Sequence, residues 1–273
     1  MVDSIAVLIS TYNNPAFLRL VLDAYAQQDD KHFSIYIADD GSTKATRELI
    51  EHTAKKFPVR IHHIWHTDKG FRKARINNIA LKAVKEAYVI LTDGDCIPLP
   101  NMIATHRKLA NANTMINGSR ILLSSKWTKH LCTTRRPTEN NLLSWFKHKV
   151  KGNINRILPL VIPAHLSSAN QKLSGIHGCH LSCFTSNLIN INGFDESFEG
   201  WGREDSDLVA RLLHSGIQRK NLRGTPVLHL WHKENSRDRL DNNDALLQAC
   251  LDENRQRAII GIHELSNETC LNH

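Results

Sequence analysis

The 273-residue sequence has no apolar run approaching the ~20 residues that a membrane-spanning helix needs. Its N-terminus, "MVDSIAVLIS", is a charged start followed by a short strand-like run, without the pattern of a signal peptide. A cytoplasmic protein is expected, with peripheral attachment to the inner face of the cytoplasmic membrane as the variant. No CxxC pair occurs among the six cysteines (Cys96, Cys132, Cys179, Cys183, Cys250 and Cys270), which argues for free thiols over a disulfide framework or a thiolate zinc site. Two nucleotide fingerprints are also missing: no GxGxxG follows a strand-like run, and no GxxxxGK[ST] is present. Aromatic residues make up only 6% and are not interleaved with cations as in single-strand binders, so no nucleic-acid partner is expected. Acidic residues are scarce in the middle of the chain. Between Asn117 and Arg156 nine Lys or Arg (Arg120, Lys126, Lys129, Arg135, Arg136, Lys147, Lys149, Lys151, Arg156) face one acid, Glu139.

What is present is an ordinary globular balance, 41% apolar and 23% charged, with a formal charge of +8. The length suits one large domain. The first half alternates strand-like and helical patterns. "SIAVLIS", "FSIYIADD", "VRIHHIW" and "YVILT" read as strands; between them, "FLRLVLDAYAQQ" (Phe17, Leu18, Val21, Leu22, Tyr25), "KATRELIEHTAKKF" and "KARINNIALKAVKEA" carry helical stripes. Such alternation predicts a mostly parallel sheet flanked by helices, with ligands beyond the carboxyl ends of its strands. Four polar clusters fall at those ends: "STYNN" (10–14), "DDGS" (39–42), "HTDKGFRKAR" (66–75) and "DGD" (93–95). The middle, about 119–170, reads as irregular and basic, with "RRPTENN" an exposed loop. Order returns at "GIHGCHLSCF" and "EGWGREDSDLVARLL", and the tail from Asp241 reads as helical.

The chemistry-bearing residues are acidic and imidazole groups. On an extended strand end, residues i and i+2 point the same way, so Asp93 and Asp95 can aim at one point. Two such carboxylates suit a proton or a cation between them, Mg²⁺ or Mn²⁺, although a polar turn would explain the same residues. His229 and His232 in "VLHLWHKE" could add imidazole ligands, which suit Mn²⁺; equally, one could pack under Trp231 and the other be solvated. In "EGWGREDSDL", Gly200 and Gly202 flank Trp201, and Glu204 and Asp205 open a helix. Their charge is favoured there by the macrodipole, and it also suits a carboxylate base beside an aromatic platform for a sugar ring. Lys69, Arg72, Lys73 and Arg75 cluster where a diphosphate would need counter-charge.

Together, "VLISTYNNPAFLRLVLDAYAQQ", "IADDGS", "DKGFRKARINNIA" and "VILTDGDCIP" resemble the nucleotide-binding half of family 2 inverting glycosyltransferases of the GT-A fold. "NGFDESFEGWGREDSDLVARL" with "HLWH" resembles the acceptor-side region shared by β-1,4-galactosyltransferases and bacterial chondroitin-polymerase-type enzymes. The resemblance implies a single α/β GT-A domain over 1–240, divided into a nucleotide-binding half (1–115), a basic insert (116–174) and an acceptor and metal half (175–240), followed by a helical tail (241–273). It implies Thr11, Tyr12, Asp39, Asp40, Arg75 and Asp93 as nucleotide-binding residues, and Asp95 with His229, His232 or both as ligands of Mn²⁺ or Mg²⁺. Asp205 matches the catalytic base, and Trp201 and Glu204 match acceptor contacts. His180 departs from the Asn usual in relatives and falls near the expected donor-sugar pocket. The activity implied is inverting, metal-dependent sugar transfer from a UDP-sugar to a glycan or lipid-linked glycan in bacterial surface polysaccharide or lipopolysaccharide synthesis. The basic insert is read as contact with an anionic acceptor or membrane, or as a solvated loop. A sugar-nucleotide nucleotidyltransferase and a non-catalytic glycan-binding domain are the rival classes, and neither gives a reason for "WGRED" together with "HLWH".

Overall fold

The structure is a computed structural model that describes residues 2–135, 140–164, 168–169, 171–234, 236–265 and 271–272. The first half runs β1 (Ile5–Thr11), α1 (Pro15–Tyr25), β2 (Phe33–Asp39), α2 (Lys44–Ala54), β3 (Ile61–Trp65), α3 (Lys73–Ala83), β4 (Tyr88–Asp93) and β5 (Cys96–Ile97). The middle adds α4 (Met102–Leu109), β6 (Thr114–Asn117), β7 (Arg120–Leu122), α5 (Ser125–Thr134), α6 (Leu142–Val150), α7 (Leu158–Val161) and β8 (Ser168–Ala169). The last part comprises β9 (His180–Phe184), α8 (Thr185–Asn190), α9 (Glu204–His214), β10 (Gln218–Asn221), β11 (Val227–His229), α10 (Leu240–Asp252) and β12 (Leu271–Asn272).

Nine strands form one sheet in the order β12-β3-β2-β1-β4-β9-β6-β10-β8. Its β3-β2-β1-β4 portion is parallel, built from the apolar runs that read as buried strands. Ile5, Val7 and Ile9 point into one core layer, with Leu18, Val21 and Leu22 of α1; Ala6 and Leu8 point into the other, with Ile76 and Ala80 of α3. The period-two alternation of a strand buried on both faces is thus met by helices on both sides. The four polar clusters all follow the carboxyl ends of these four strands. β9 is antiparallel to both β4 and β6.

A second, three-stranded sheet, β5-β11-β7, sits beside the first. The antiparallel pairing of β5 with β11 puts Cys96 opposite His229, and the amide of Leu230 donates to the carbonyl of Asp95 at 2.9 Å. Residues more than 130 positions apart are joined there by backbone bonds.

The middle is not irregular. Ser124 and Asn141 cap α5 and α6 by accepting from the amides of Trp127 (3.2 Å) and Ser144 (2.8 Å). Leu131 of α5, Trp145 of α6 and Ile154 pack on Ile121 and Leu228 of the small sheet and on Leu123 and Leu230 just past its strands, forming a third core. Of the expected "RRPTENN" loop, residues 136–139 lie outside the described residues. β6 spans position 116, the expected start of the basic insert. In the tail, Asn243 of α10 donates to the carbonyls of Glu199 (3.1 Å) and Gly202 (2.8 Å). No helix among the described residues is long and apolar enough to cross a membrane.

Candidate active site

At the carboxyl end of the parallel strands lies a cavity of about 840 Å³. Its lining includes Thr11, Tyr12, Asp40, Asp93 and Asp95 from the first half of the chain, and Trp201, Glu204, His229, Trp231 and His232 from the last part. The two acidic motifs therefore share one cleft. What brings them together is a set of buried anchors. Asn78 of α3 accepts from the Phe194 amide (2.8 Å) and donates to its carbonyl (2.9 Å). Arg75 of the same helix donates to Glu196 at 2.8 Å. On α9, fully buried Arg211 donates to the carbonyls of Ile191 (2.8 Å) and Gly193 (2.7 Å) while pairing with Asp207. The loop that precedes α9 is thereby pinned against α3.

Asp95, His229 and His232 offer one ligand atom each, all within 4.8 Å of one another. Asp95 Oδ2 is 3.1 Å from His232 Nε2 and 3.7 Å from His229 Nε2. His232 Nδ1 donates to the carbonyl of Lys233 at 2.8 Å, which turns Nε2 toward Asp95. The hydrogen bond to Asp95 raises the His232 pKa to about 9, against the opposing effect of burial. The proton on Nε2 thus sits where a cation would be held. One carboxylate and two imidazoles form a donor set that fits Mn²⁺ well.

Lys73 stands between the two acidic motifs, its Nζ 2.8 Å from Asp93 and 3.6 Å from Glu204. Burial opposes its charge, but Asp93 and Glu204 outweigh that and hold the ammonium above its ordinary range. Burial, together with the carboxylate of Asp205, lifts the Glu204 pKa to about 7 in spite of Lys73. Asp205 lines a small void of about 10 Å³ that shares Ser10, Lys73, Asp93 and Glu204 with the large cavity. Its Oδ2 accepts from the Gly178 amide at 2.8 Å. Left-handed backbone at Gly200 (φ 74°), Gly202 (φ 107°) and Arg203 (φ 75°) makes the turn that presents Trp201 and starts α9. Trp201 is 40% exposed, with the Arg237 guanidinium 5.6 Å from its ring centre.

Three expected residues lie elsewhere. Asp39 is fully buried: its Oδ1 accepts from the Ser42 amide (2.8 Å) and its Oδ2 meets His63 (2.9 Å), so it shapes the turn and does not face the cavity. Arg75 is held by Glu196, and the cation of α3 that lines the cleft is Lys73. His180 is also fully buried, bonded to His106 Nε2 at 2.9 Å and away from the cavity wall.

The family model described as Glycosyl transferase family 2 matches residues 6–154, more than half of the chain. The chain belongs to glycosyl transferase family 2. A second model, described as N-terminal domain of galactosyltransferase, matches residues 160–233, which hold Trp201, Glu204, Asp205 and both histidines. A chondroitin synthase of Escherichia coli is 25% identical over 264 residues, covering 91% of this chain and 38% of that protein. The chain therefore spans well under half the length of that relative. S. aureus TarS 1-349, solved in complex with UDP-GlcNAc, matches with a TM-score of 0.58 at 14% identity, over 90% of this chain and 66% of that one. The mannosyltransferase PcManGT from Pyrobaculum calidifontis, solved with GDP-Man and Mn²⁺, gives 0.58 at 17% identity, over 84% and 57%. At such identities the likeness is one of fold, and it is the GT-A arrangement expected from the motifs.

Trp231 and Arg120 are among the cavity residues of this family 2 transferase that the sequence does not mark as site residues. Trp231 had been read as a cover for a histidine, yet it is 51% exposed and lines the cleft. Arg120, on β7, lines it too; only its position in the cationic run marked it.

Proposed function

We propose that this chain is an inverting, metal-dependent transferase that moves a sugar from a UDP-sugar to a hydroxyl of a glycan or lipid-linked glycan, in the synthesis of a bacterial surface polysaccharide or lipopolysaccharide. The observation that carries this reading is the single cavity lined by Asp93, Asp95, His229 and His232 together with Trp201 and Glu204. Thr11, Tyr12 and Asp40 receive the uridine. Asp40 accepts from the Arg72 amide at 2.9 Å and meets His66 at 2.7 Å, and its remaining lone pairs suit the N–H of a uracil ring. Asp39, by its hydrogen bonds, holds the turn that carries Asp40.

Asp95, His229 and His232 would hold a divalent ion, which when bound would supply Lewis-acid stabilisation of charge on a departing diphosphate. Lys73 adds a half-buried cation to the same end of the cleft. On the acceptor side Trp201 offers a face for a sugar ring. Asp205 takes the proton of the acceptor hydroxyl as that oxygen bonds to the anomeric carbon. The bond from that carbon to the diphosphate oxygen breaks on the opposite face, so the configuration inverts. The Gly178 amide fixes the Asp205 carboxylate, and positioning of the two substrates supplies much of the remaining acceleration.

A second reading makes Glu204 the base, because Glu204 and not Asp205 lines the large cavity and its pKa is raised to about 7, chiefly by burial. The two are separated by UDP release from a panel of UDP-sugars with Mn²⁺ and glycan acceptors. Asp205→Asn is expected to lower turnover by roughly 10²–10⁴-fold while UDP binding persists. Near-normal turnover in Asp205→Asn with loss in Glu204→Gln would transfer the role. Release of pyrophosphate instead of UDP would replace the proposal with a nucleotidyltransferase.

A further inference from the structure

Helix α6 carries its apolar residues on the side away from the protein. Leu142, Leu143, Phe146 and Val150 are 64, 64, 60 and 72% exposed. With 3.6 residues per turn they share a sector of about 100° on the helix surface. Trp145, outside that sector, is 2% exposed and anchors α6 in the third core. The neighbouring α7 packs against α6 and adds Leu158 and Val161, 62 and 38% exposed. Single exposed apolar side chains are normal, but a contiguous stripe on a short, well-anchored helix marks a contact surface.

Charge decides the occupant. Lys147 and Lys149 flank the apolar sector and Lys151 follows it, within a stretch holding nine cations and one acid. Two copies of this face would bring like charges together. The stripe is the convex side of a helix, suited to insertion among acyl chains while lysines reach the headgroups. We propose that the α6 face, extended by α7, docks on an anionic phospholipid bilayer. Leu142, Leu143, Phe146 and Val150 enter the headgroup–acyl boundary, and Lys147, Lys149 and Lys151 meet the anionic headgroups. Through Trp145, Ile154, Leu123 and Leu228 the same layer is packed on the sheet that carries His229. Docking therefore sets the orientation of the cleft to the membrane. The inference stands apart from the transfer reaction: vesicle binding reads α6, and UDP release reads the cleft.

The test is co-sedimentation of the full chain with phosphatidylcholine vesicles, with and without phosphatidylglycerol. Binding is expected only with phosphatidylglycerol and is expected to weaken with salt. Leu142→Ser with Phe146→Ser is expected to lower the partition coefficient about a hundredfold, because two large apolar side chains no longer leave water. Lys147→Gln with Lys151→Gln is expected to lower it about thirtyfold at low salt. Since all four side chains are exposed, melting temperature and UDP-sugar turnover in solution should match the parent and serve as folding controls. Absence of binding, or equal binding to neutral vesicles, overturns the proposal. So does binding that responds to the lysine variants but not to Leu142→Ser with Phe146→Ser. A dimer dissolved by that pair, in a protein that ignores vesicles, would assign the face to a second copy and overturn it as well.

Discussion

Gly178 donates its backbone N–H to Oδ2 of Asp205 at 2.8 Å, and it has no room for a side chain: a Cβ there would lie 2.8 Å from that oxygen and 2.9 Å from the Asp205 Cβ. The glycine lies just before β9 and the aspartate in the first turn of α9, so the contact ties a strand of the main sheet to the helix that bears both acidic residues. Gly178→Ala must push the carboxylate aside. Misplacement of a reacting group by about 1 Å costs on the order of a hundredfold, so kcat is expected to fall by about that factor. KM for the donor should stay near its parent value, because the residues proposed to receive the nucleotide are untouched. A steady-state comparison checks this; unchanged kcat would show that the Asp205 position does not limit the reaction.

The metal cluster makes a separable claim. Asp95 immediately precedes β5 and His232 follows β11, so the pairing of these two strands brings them to 3.1 Å from one another. EDTA is expected to abolish turnover and Mn²⁺ to restore it. His232→Ala is expected to weaken Mn²⁺ binding by roughly ten- to a hundredfold or more, read by titration calorimetry. Full activity in excess chelator would remove the metal from the proposal.

The helical layer of the middle segment should matter for stability in its own right. Trp145 is buried among Leu131, Ile121 and Ile154, and its indole N–H donates to Asn140 at 3.1 Å. Trp145→Ala is expected to cost about 3–5 kcal/mol by urea denaturation, the range for deleting a large aromatic from a core. A cost under about 1 kcal/mol would mean that this layer can collapse around the lost ring.

The parallel half was legible because its strands are buried on both faces and read as unbroken apolar runs, with polar clusters at each carboxyl end. The acidic and histidine motifs were legible for the same reason. Their partners were not. On a strand end successive side chains point to opposite faces, so only one of Asp39 and Asp40 can face the cleft; the choice depends on His63 of the next strand and His66 just beyond its end. Lys73 and Arg75 lie two positions apart on α3, on different sides of the helix, and only the docking of Glu196 shows which one leaves the cleft. The middle segment misled because the apolar residues of α6 face outward. Helical periodicity there has no core partner to which it can be matched.

The last expectation concerns pH. Glu204 has an ordinary carboxyl pKa of 4.5 and is raised to about 7 in the fold, first by burial and then by the adjacent Asp205 carboxylate, with Lys73 opposing. Between these two values the folded state holds a proton that the unfolded chain has released. Stability from this group is therefore fully present below about pH 4.5 and is lost as pH rises through about 7. In metal-free buffer, the melting temperature of the parent protein should decline over that interval relative to Glu204→Gln, whose side chain cannot ionise. Replacing Lys73 by Met removes the opposing charge, so the decline is expected to extend to higher pH. Melting curves of the three proteins across this range decide the matter. Parallel curves for parent and Glu204→Gln would mean that Glu204 stays ionised throughout, its charge carried by Lys73 alone.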